Sequence, residues 1–346
     1  MKTNLFNRKE FISRNDILYS EKKFTQDIYS HHGYLSLYEN KSEKPYFFIV
    51  EDDSKIFIYP FLKCSIKELK SYYDVKTAYG YGGPTCNTKD ENFIKSCYRE
   101  LRSLLNELNI VSEVIKFNPF LDCHDLITNL YDGNIVNDRE LVFISFKNIN
   151  ENKVLDLYKK ECRKKIKKTE VFQNRMNIEI GNSSRHLKEF RKVYEENLRY
   201  NNADKRYFYN ESFYEKLQKN LENNFLIFSI YIDNKITTSQ LLLFDDNNVY
   251  CHLFGALEEA RKKNIILLSY HKLIEWSCRN GFKNINFGGG RGSDPNDSLL
   301  TFKKNFSQST TPFLIGEKII NKEVYDFLCS KYGDQSRSHF QKYRKL

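Results

Sequence analysis

The sequence lacks the features that mark exported, membrane-spanning and zinc-binding proteins. No stretch approaches the ~18 continuous apolar residues of a membrane span, and the start, MKTNLFNRKEFISRND, has no apolar signal-peptide core. The eight cysteines are scattered, with no CxxC pair and no histidine at ligand spacing from any of them. We therefore expect a cytoplasmic protein with reduced thiols and no metal.

Glycine is also sparse, with 14 among 346 residues, whereas apolar residues make up 40% and aromatic residues 15%. This is enough apolar material for packed cores, and the length exceeds what one core usually accommodates, so we expect two domains. Lysine and arginine number 55 against 45 acidic residues, a net charge of +10. Such an excess suggests an anionic partner, whether phosphate, RNA or an acidic membrane face.

One pattern of elements occurs twice along the chain. In the first half, KPYFFIVEDDSKIFIYPFL predicts a hairpin that turns at 51–54, and a helix follows that Thr88 and Glu91 would cap. In the second half, strands are separated by a turn at 233–234, and Gly281 would stop the next helix. Since the two sets lie about 170 to 180 positions apart, they indicate two copies of one domain.

Six motifs occur in a characteristic order: YYDVKTAYGYGGP, KFNPF, KKECRKKIKKTEV, NNADKRYFYNESFY, HLFGA and NFGGGRGSDPNDSLLTFKKNFS. Together they resemble the Fem-type branch of the GNAT superfamily, which includes peptidoglycan-bridge aminoacyltransferases and enzymes of surface-polysaccharide clusters. The resemblance implies an α/β (α+β) fold with two tandem GNAT-like domains, 1–150 and 151–346. Each would have a mixed, mostly antiparallel central sheet flanked by helices, and the two would face each other across a cleft, with the second on the catalytic and donor side.

The resemblance also implies transfer of an acyl or aminoacyl group to an amine, and the expected acceptor is an amino sugar of a nucleotide-linked or lipid-linked cell-surface precursor. No cofactor would stay bound, and the co-substrate would be acyl-CoA or aminoacyl-tRNA. CoA-dependent members cradle the pyrophosphate with an Arg-x-x-Gly-x-Gly/Ala pattern, whereas 260–265 reads ARKKNI. The missing glycines weaken the CoA interpretation, because other residues hinder close backbone approach to a phosphate.

Two alternatives stay open. The chain could be a peptidoglycan-bridge enzyme that uses aminoacyl-tRNA, in which case the basic run CRKKIKKTE would dock tRNA. The chain could instead be a non-catalytic protein that binds RNA or a lipid-linked sugar with a degenerate GNAT core. The same basic run could contact anionic lipid headgroups at the inner membrane surface, or form an ordinary solvated helix face.

Lys303 is the sharpest candidate for a catalytic residue. In DSLLTFKKNFS, the spacing of Leu299, Phe302, Lys303 and Phe306 places them on one helix face, so a lysine occupies an apolar stripe. Its stem could snorkel to water, or its cation could stabilise the oxyanion that forms when an amine attacks an ester or thioester. The resemblance assigns Phe302 and Lys303 to the donor end, while Lys304 would point away.

Further candidates surround that helix. The glycine-rich NFGGGRG stretch could direct backbone N–H groups of Gly289 and the side chain of Arg291 to an anion at the helix start, with Asp297 as N-cap. His252, in VYCHLFGA, is either a packed strand residue or the base that accepts the proton of the attacking amine.

Candidates for acceptor binding lie in two other motifs. The aromatic-glycine stretch is either a strand ending in a turn or the wall of a site for a nucleotide or sugar ring. The resemblance also places the NNADKRY segment near the acceptor, with one arginine as a phosphate ligand. The predicted acceptor residues are Tyr79, Tyr81, Gly82, Gly83, Asn202, Arg206 and Tyr207.

Overall fold

A computed structural model gives the structure of the chain and describes residues 1–13, 27–294, 296–334 and 340–344. The strands are β1 Lys2–Asn7, β2 Glu43–Asp52, β3 Lys55–Ile66, β4 Leu69–Lys76, β5 Thr85–Cys86, β6 Ile110–Lys116, β7 Asn134–Ser145, β8 Met176–Gly181, β9 Phe225–Ile232, β10 Lys235–Phe244, β11 Asn248–Ala256, β12 Asn284–Gly288 and β13 Thr310–Ile319.

The α-helices with both ends among the described residues are α1 His32–Leu37, α2 Glu91–Glu107, α3 His124–Asn129, α4 Lys160–Lys167, α5 Ser184–Tyr200, α6 Glu211–Asn220, α7 Glu258–Lys262, α8 Ile265–Arg279, α9 Ser298–Lys303 and α10 Lys322–Tyr332. Together the strands and helices form a mixed α/β fold, as the sequence predicts. Within the described part of the chain, no helix combines the length and the apolar character that crossing a bilayer requires.

The chain divides into two compact units. The first consists of Met1–Asp138 and Phe313–Leu346, and the second of Arg139–Pro312. These units are not the same residues as the predicted domains 1–150 and 151–346, because the end of the chain returns to the first unit. The sequence could not reveal this return, since strand pairing between distant segments depends on tertiary packing.

The sheet of the first unit has the order β1-β2-β3-β4-β6-β13. Its strands pair antiparallel except for β4 and β6, which are parallel. Helix α2 follows β5 and buries Phe93, Cys97 and Leu101 in the core of this unit. That apolar face repeats every three to four residues, as expected for a helix that covers a sheet.

The sheet of the second unit repeats this design in the order β8-β9-β10-β11-β12-β7. The strands β11 and β12 are parallel, and the other neighbours pair antiparallel. The topology therefore confirms the prediction that one pattern of strands and helices occurs twice along the chain. The sixth strand differs in origin, because β7 precedes the other strands of its unit while β13 follows those of the first.

Most local turn signals are confirmed, and one helix cap is corrected. Asp233 and Asn234 have φ angles of 50° and 61°, and they connect β9 to β10 as a tight hairpin turn. Gly281 has a φ of 77° just after α8 and ends that helix. The predicted cap of α2 by Thr88 and Glu91 is wrong, because Asp90 is the N-cap and accepts hydrogen bonds from the first-turn N–H groups.

Candidate active site

Helix α9 is positioned by its first residue and by the glycine-rich loop before it. Asp297 is the N-cap, as predicted, and its Oδ1 accepts a hydrogen bond from Leu300 N at 2.9 Å. The backbone of Arg291 also donates to the Asp297 carboxylate, which helps to lower the pKa of that group. A Cβ on Gly290 would lie 2.6 Å from Asp297 Oδ1, so this loop packs on the cap only because the residue is glycine.

Lys303 ends this helix and is buried, with only 8% of its surface exposed. Its Nζ donates a hydrogen bond to the carbonyl oxygen of Gly289 at 2.6 Å. Burial lowers the pKa of Lys303 to about 8, against the opposing influence of Cys251 and Asp297. The amine is therefore mainly a cation near pH 7, held in a low-dielectric position where its charge acts strongly.

Gly289 also contacts the middle of β7. A Cβ at this position would lie 2.7 Å from the carbonyl oxygen of Glu140 and 2.8 Å from Cδ of Arg139. Arg139 in turn donates through Nη1 to the carbonyl oxygen of Gly290 at 3.1 Å. The carbonyl that accepts from Lys303 is thus fixed by close packing rather than left in a mobile loop.

The neighbouring lysine occupies a different environment. Lys304 is the C-cap of α9, and its Nζ pairs with the Glu140 carboxylate while 30% of its side chain stays exposed. The contrast between adjacent residues follows the predicted helix face, which buries Lys303 and Phe306. Lys304 therefore provides a matched control for Lys303.

His252 lies at an irregularity of the sheet. Leu241 of β10 is opposite Leu253, but Leu242 is opposite Cys251, so His252 is the extra residue of a β-bulge. Burial lowers the pKa of His252 to about 3, which leaves its imidazole neutral and a weak proton acceptor near pH 7. Cys251 lies close enough to Lys303 for the two to affect each other's ionisation, and burial raises the pKa of its thiol to about 12.

A groove of about 290 Å³ opens in the second unit beside α9. Phe302, next to Lys303, forms part of its wall and packs edge-to-face on Tyr270 with ring centroids 5.3 Å apart. Helix α4, the α7 region and the first turn of α8 supply the other walls. The remaining lining residues are Glu161, Cys162, Lys165, Ala260, Arg261, Asn264, Ile266, Leu267 and Asn305.

One end of the groove is suited to an anion. Asn264, the N-cap of α8, has a φ of 59°, and the 15-residue helix that follows it lines the groove with its first turn, through Ile266 and Leu267. Arg261 is fixed by hydrogen bonds from Nη2 to Asn197 Oδ1 at 3.0 Å and to the carbonyl of Ala256. Neither Arg261 nor Lys165 has a carboxylate partner within the described residues.

The residues that shape this end carry only a weak signal in the sequence. The segment 260–265 lacks the expected glycines, yet Asn264 adopts the left-handed conformation in which glycine is commonest. Asparagine is among the few other residues that tolerate this conformation, so its identity was the available signal. The pairing of Arg261 with Asn197 had no signal, because these residues are distant in sequence.

The other predicted site residues of the second unit lie after α5. Asn202 has a φ of 49° and is exposed, as is Arg206, whose guanidinium carbon lies 5.2 Å from the ring centre of Tyr207. Arg291 is also exposed in the loop before α9. No described contact joins Asn202 or Arg206 to Lys303, so their acceptor role stays a prediction.

The aromatic-glycine stretch lies in the first unit and is partly core. Tyr81 is 8% exposed and packs edge-to-face against Tyr29 and Phe313, whereas Tyr79 is 39% exposed. Gly80 and Gly83 have φ angles of 86° and 97°, so each needs the freedom of glycine. Gly82 is buried, and its carbonyl accepts a hydrogen bond from Asn118 N at 3.0 Å. The stretch is thus a packed turn that presents one tyrosine to solvent.

Comparisons with known proteins indicate the class of domain. Residues 158–298, which include eight of the ten residues that line the groove, match the acetyltransferase (GNAT) domain family model, and no curated protein matches the sequence. This segment is similar to acetyltransferase domains of the GNAT type. Among described residues, no group of histidine, cysteine or acidic side chains is arranged to hold a metal ion.

Solved structures have a similar fold over most of the chain. FemX is similar with a TM-score of 0.72 at 11% identity, over 94% of this chain and 99% of its own. The C-terminal domain of a putative lysylphosphatidylglycerol synthetase from Agrobacterium fabrum gives a TM-score of 0.55 at 12% identity, over 90% and 92% of the two chains. A tandem GNAT protein from the clavulanic acid biosynthesis pathway gives 0.50 at 6%, over 92% and 99%.

The chain therefore has the fold of FemX and of tandem GNAT proteins, and the predicted resemblance to the Fem-type branch is confirmed at the level of fold and domain. The domain match and the fold together support an acyl- or aminoacyltransferase. They leave donor and acceptor to be inferred from the site.

Proposed function

We propose that this protein is an N-acyltransferase that moves an acyl group from acyl-CoA to the amine of an amino sugar in a cell-surface precursor. The buried Lys303, which directly follows the groove residue Phe302 in the chain, is the observation that carries the proposal, because a desolvated cation stabilises a developing oxyanion strongly. The amine nitrogen attacks the thioester carbonyl, a C–N bond forms, the C–S bond breaks, and the amine proton passes to a base or to the leaving thiolate.

The groove supports CoA as the donor. The first turn of α8, Arg261 and Lys165 offer N–H groups and cations to a pyrophosphate at one end. Ile266, Leu267 and Phe302 provide an apolar wall for the rest of the donor. Asn264 adopts the left-handed backbone turn that a glycine at this position would supply, which weakens the objection to CoA that the missing glycines of 260–265 raise.

A second candidate is an aminoacyltransferase that uses aminoacyl-tRNA. The fold of FemX favours it, because Fem-type bridge enzymes use this donor. The chemistry at Lys303 would be the same, with an ester carbonyl in place of the thioester. On the acceptor side, both candidates share the proposed residues Asn202, Arg206 and Tyr207 of the second unit.

Thermal-shift measurements separate the candidates. We expect acetyl-CoA and free CoA to raise the melting midpoint, since a ligand at about 100 times its Kd stabilises a protein by about 2.7 kcal/mol. Protection by uncharged tRNA without protection by CoA would instead identify an aminoacyl-tRNA user. UDP-linked amino sugars with and without a free amine test the acceptor, and mass spectrometry of the product tests turnover. If the protein bound these ligands but formed product from no combination of donor and acceptor, the alternative of a non-catalytic binding protein would be favoured.

Arg261 gives a sharper test of the donor site. We expect Arg261→Ala to raise KM for acyl-CoA about 10- to 100-fold, as for the loss of a charge-assisted hydrogen bond, with little change in kcat. The adjacent Lys262 pairs with Glu258 on the exposed side of α7, so Lys262→Ala should leave KM near the wild-type value. Melting curves of both variants control for the loss of packing on Tyr200, whose ring centre lies 3.7 Å from Arg261 Cζ. Equal KM values for the two variants would rule out a phosphate contact at Arg261.

A further inference from the structure

The outer face of α4 and of the 3-10 helix that follows it, Lys168–Arg175, has an unusual composition. One side of this segment is buried through Cys162, Ile166 and Thr169. The opposite side follows helical spacing and faces solvent. We call it the Lys160–Val171 face, and it consists of Lys160, Lys164, Lys167, Lys168 and Val171.

This face carries positive charge that the protein does not neutralise. Residues 159–175 contain eight basic and two acidic side chains. Lys164 pairs with Glu161, and Arg175 pairs with Asp233. Within the described part of the chain, no carboxylate forms an ion pair with Lys160, Lys167 or Lys168. An extended surface of this kind attracts a polyanion, whose charges supply the missing partners.

The exposure of Val171 indicates which kind of polyanion would bind the Lys160–Val171 face. Its side chain is 70% exposed, more than any other large apolar side chain among the described residues. A surface that binds only phosphates gains nothing from an exposed valine at the end of its row of cations. A bilayer interface gains from both, because lysines contact anionic headgroups while an apolar side chain enters the headgroup and acyl boundary.

We propose that the Lys160–Val171 face docks this protein on an anionic phospholipid membrane. This inference goes beyond the proposed acyl transfer and does not depend on it. Glu161, Cys162 and Lys165 of the same helix line the groove, so docking would bring the groove close to the lipid surface. Acceptors or donors embedded in that membrane would then reach the site without leaving the bilayer.

Co-sedimentation of the full chain with lipid vesicles tests this proposal. We expect binding to phosphatidylcholine vesicles that contain about one-third phosphatidylglycerol and little binding to pure phosphatidylcholine. The triple variant Lys164→Gln, Lys167→Gln, Lys168→Gln should bind the anionic vesicles about 100-fold more weakly, from the contribution of each lysine near an anionic surface. Lys165 is left intact because it lines the groove.

A matched control removes the same charge elsewhere. The triple variant Lys67→Gln, Lys70→Gln, Lys89→Gln neutralises three exposed lysines of the first unit, and its vesicle binding should stay within about twofold of wild type at physiological salt. Equal losses in the two triple variants would overturn the proposal, because net charge alone would then explain the binding.

Val171→Ser separates a membrane from a nucleic acid. We expect this variant to bind anionic vesicles several-fold more weakly and tRNA, measured by fluorescence anisotropy, as tightly as wild type does. Unchanged vesicle binding by Val171→Ser, together with loss of tRNA binding in the Lys164, Lys167 and Lys168 variant, would show a nucleic-acid surface instead. Acyl transfer to a water-soluble amine should stay at the wild-type level in all these variants, so failure of docking is distinguishable from failure of the proposed function.

Discussion

We expect Lys303→Met to lower kcat about 100- to 1,000-fold, the loss found when one group that stabilises an oxyanion is removed. Methionine keeps the unbranched stem that packs in this buried position but removes the cation and its hydrogen bond to the Gly289 carbonyl. The free energy of unfolding should change little, because a buried charge is costly and its replacement by an apolar group offsets the lost hydrogen bond. Initial rates with saturating donor and acceptor, together with a melting curve, measure the two effects.

Lys304→Met is the control for this prediction. Its partner, Glu140, and its partial exposure make the Lys304 interaction an ordinary surface ion pair, which contributes about 0 to 1 kcal/mol to stability. We expect kcat of Lys304→Met to stay within about threefold of wild type, which corresponds to a change of less than about 1.4 kcal/mol in the activation free energy. An equal loss in both variants would mean that α9 is only structural, and normal turnover by Lys303→Met would remove the lysine from the mechanism.

The pH dependence distinguishes a cationic Lys303 from a basic one. Because burial lowers its pKa to about 8, the side chain is protonated below that pH and neutral above it. The ratio of the wild-type rate to the Lys303→Met rate cancels the ionisation of the acceptor amine. We expect this ratio to fall as the pH rises through about 8, whereas a general base would make it rise. Lys303→Arg, which stays protonated, should show no such fall.

The contribution of Lys303 to the free energy of unfolding should rise with pH, whereas its contribution to the rate should fall. In the unfolded chain the lysine keeps its ordinary pKa of 10.5, so between about 8 and 10.5 the unfolded state binds more protons at this residue. The free energy of unfolding of the wild type should therefore rise relative to Lys303→Met across that window.

The parts of the fold that the sequence predicts correctly are those with local causes. The hairpin at Asp233 and Asn234 depends on residues that tolerate a positive φ, and the end of α8 depends on Gly281. In each case the deciding interaction lies within one turn of the chain, so the residue type alone carries the information.

The parts that the sequence does not predict depend on distant segments. No local signal indicates that β13 pairs with β6, or that the segment around Tyr343 returns to the first unit. The same is true of the groove, whose walls come from α4, α8 and the residues around Phe302. The end of the groove that suits an anion depends on the left-handed conformation of Asn264, which an asparagine permits but does not require. Packing selects that conformation, and only the folded chain shows it.

A carboxylate at the centre of the first unit depends on this return of the chain. Asp74 of β4 is 1% exposed, and it accepts hydrogen bonds from Ser112 Oγ at 2.7 Å, Tyr343 Oη at 2.9 Å and Arg344 Nε at 2.6 Å. Arg344 also donates to the carbonyl oxygen of Cys64 at 3.0 Å. The buried charge is therefore paired only while residues 340–344 occupy this position.

We expect Asp74→Ala to lower the free energy of unfolding by about 3 to 5 kcal/mol, because it leaves Arg344 partly buried without its partner. Arg344→Ala should cost a similar amount, and the double variant should cost little more than either, since both changes break the same pair. The exposed pair of Asp326 with Lys322 is the control, and Asp326→Ala should cost about 0.5 kcal/mol or less. Denaturant titration gives all four values. Additive losses for Asp74 and Arg344 would show that the two residues stabilise the unit independently, and the end of the chain would then not be held by this carboxylate.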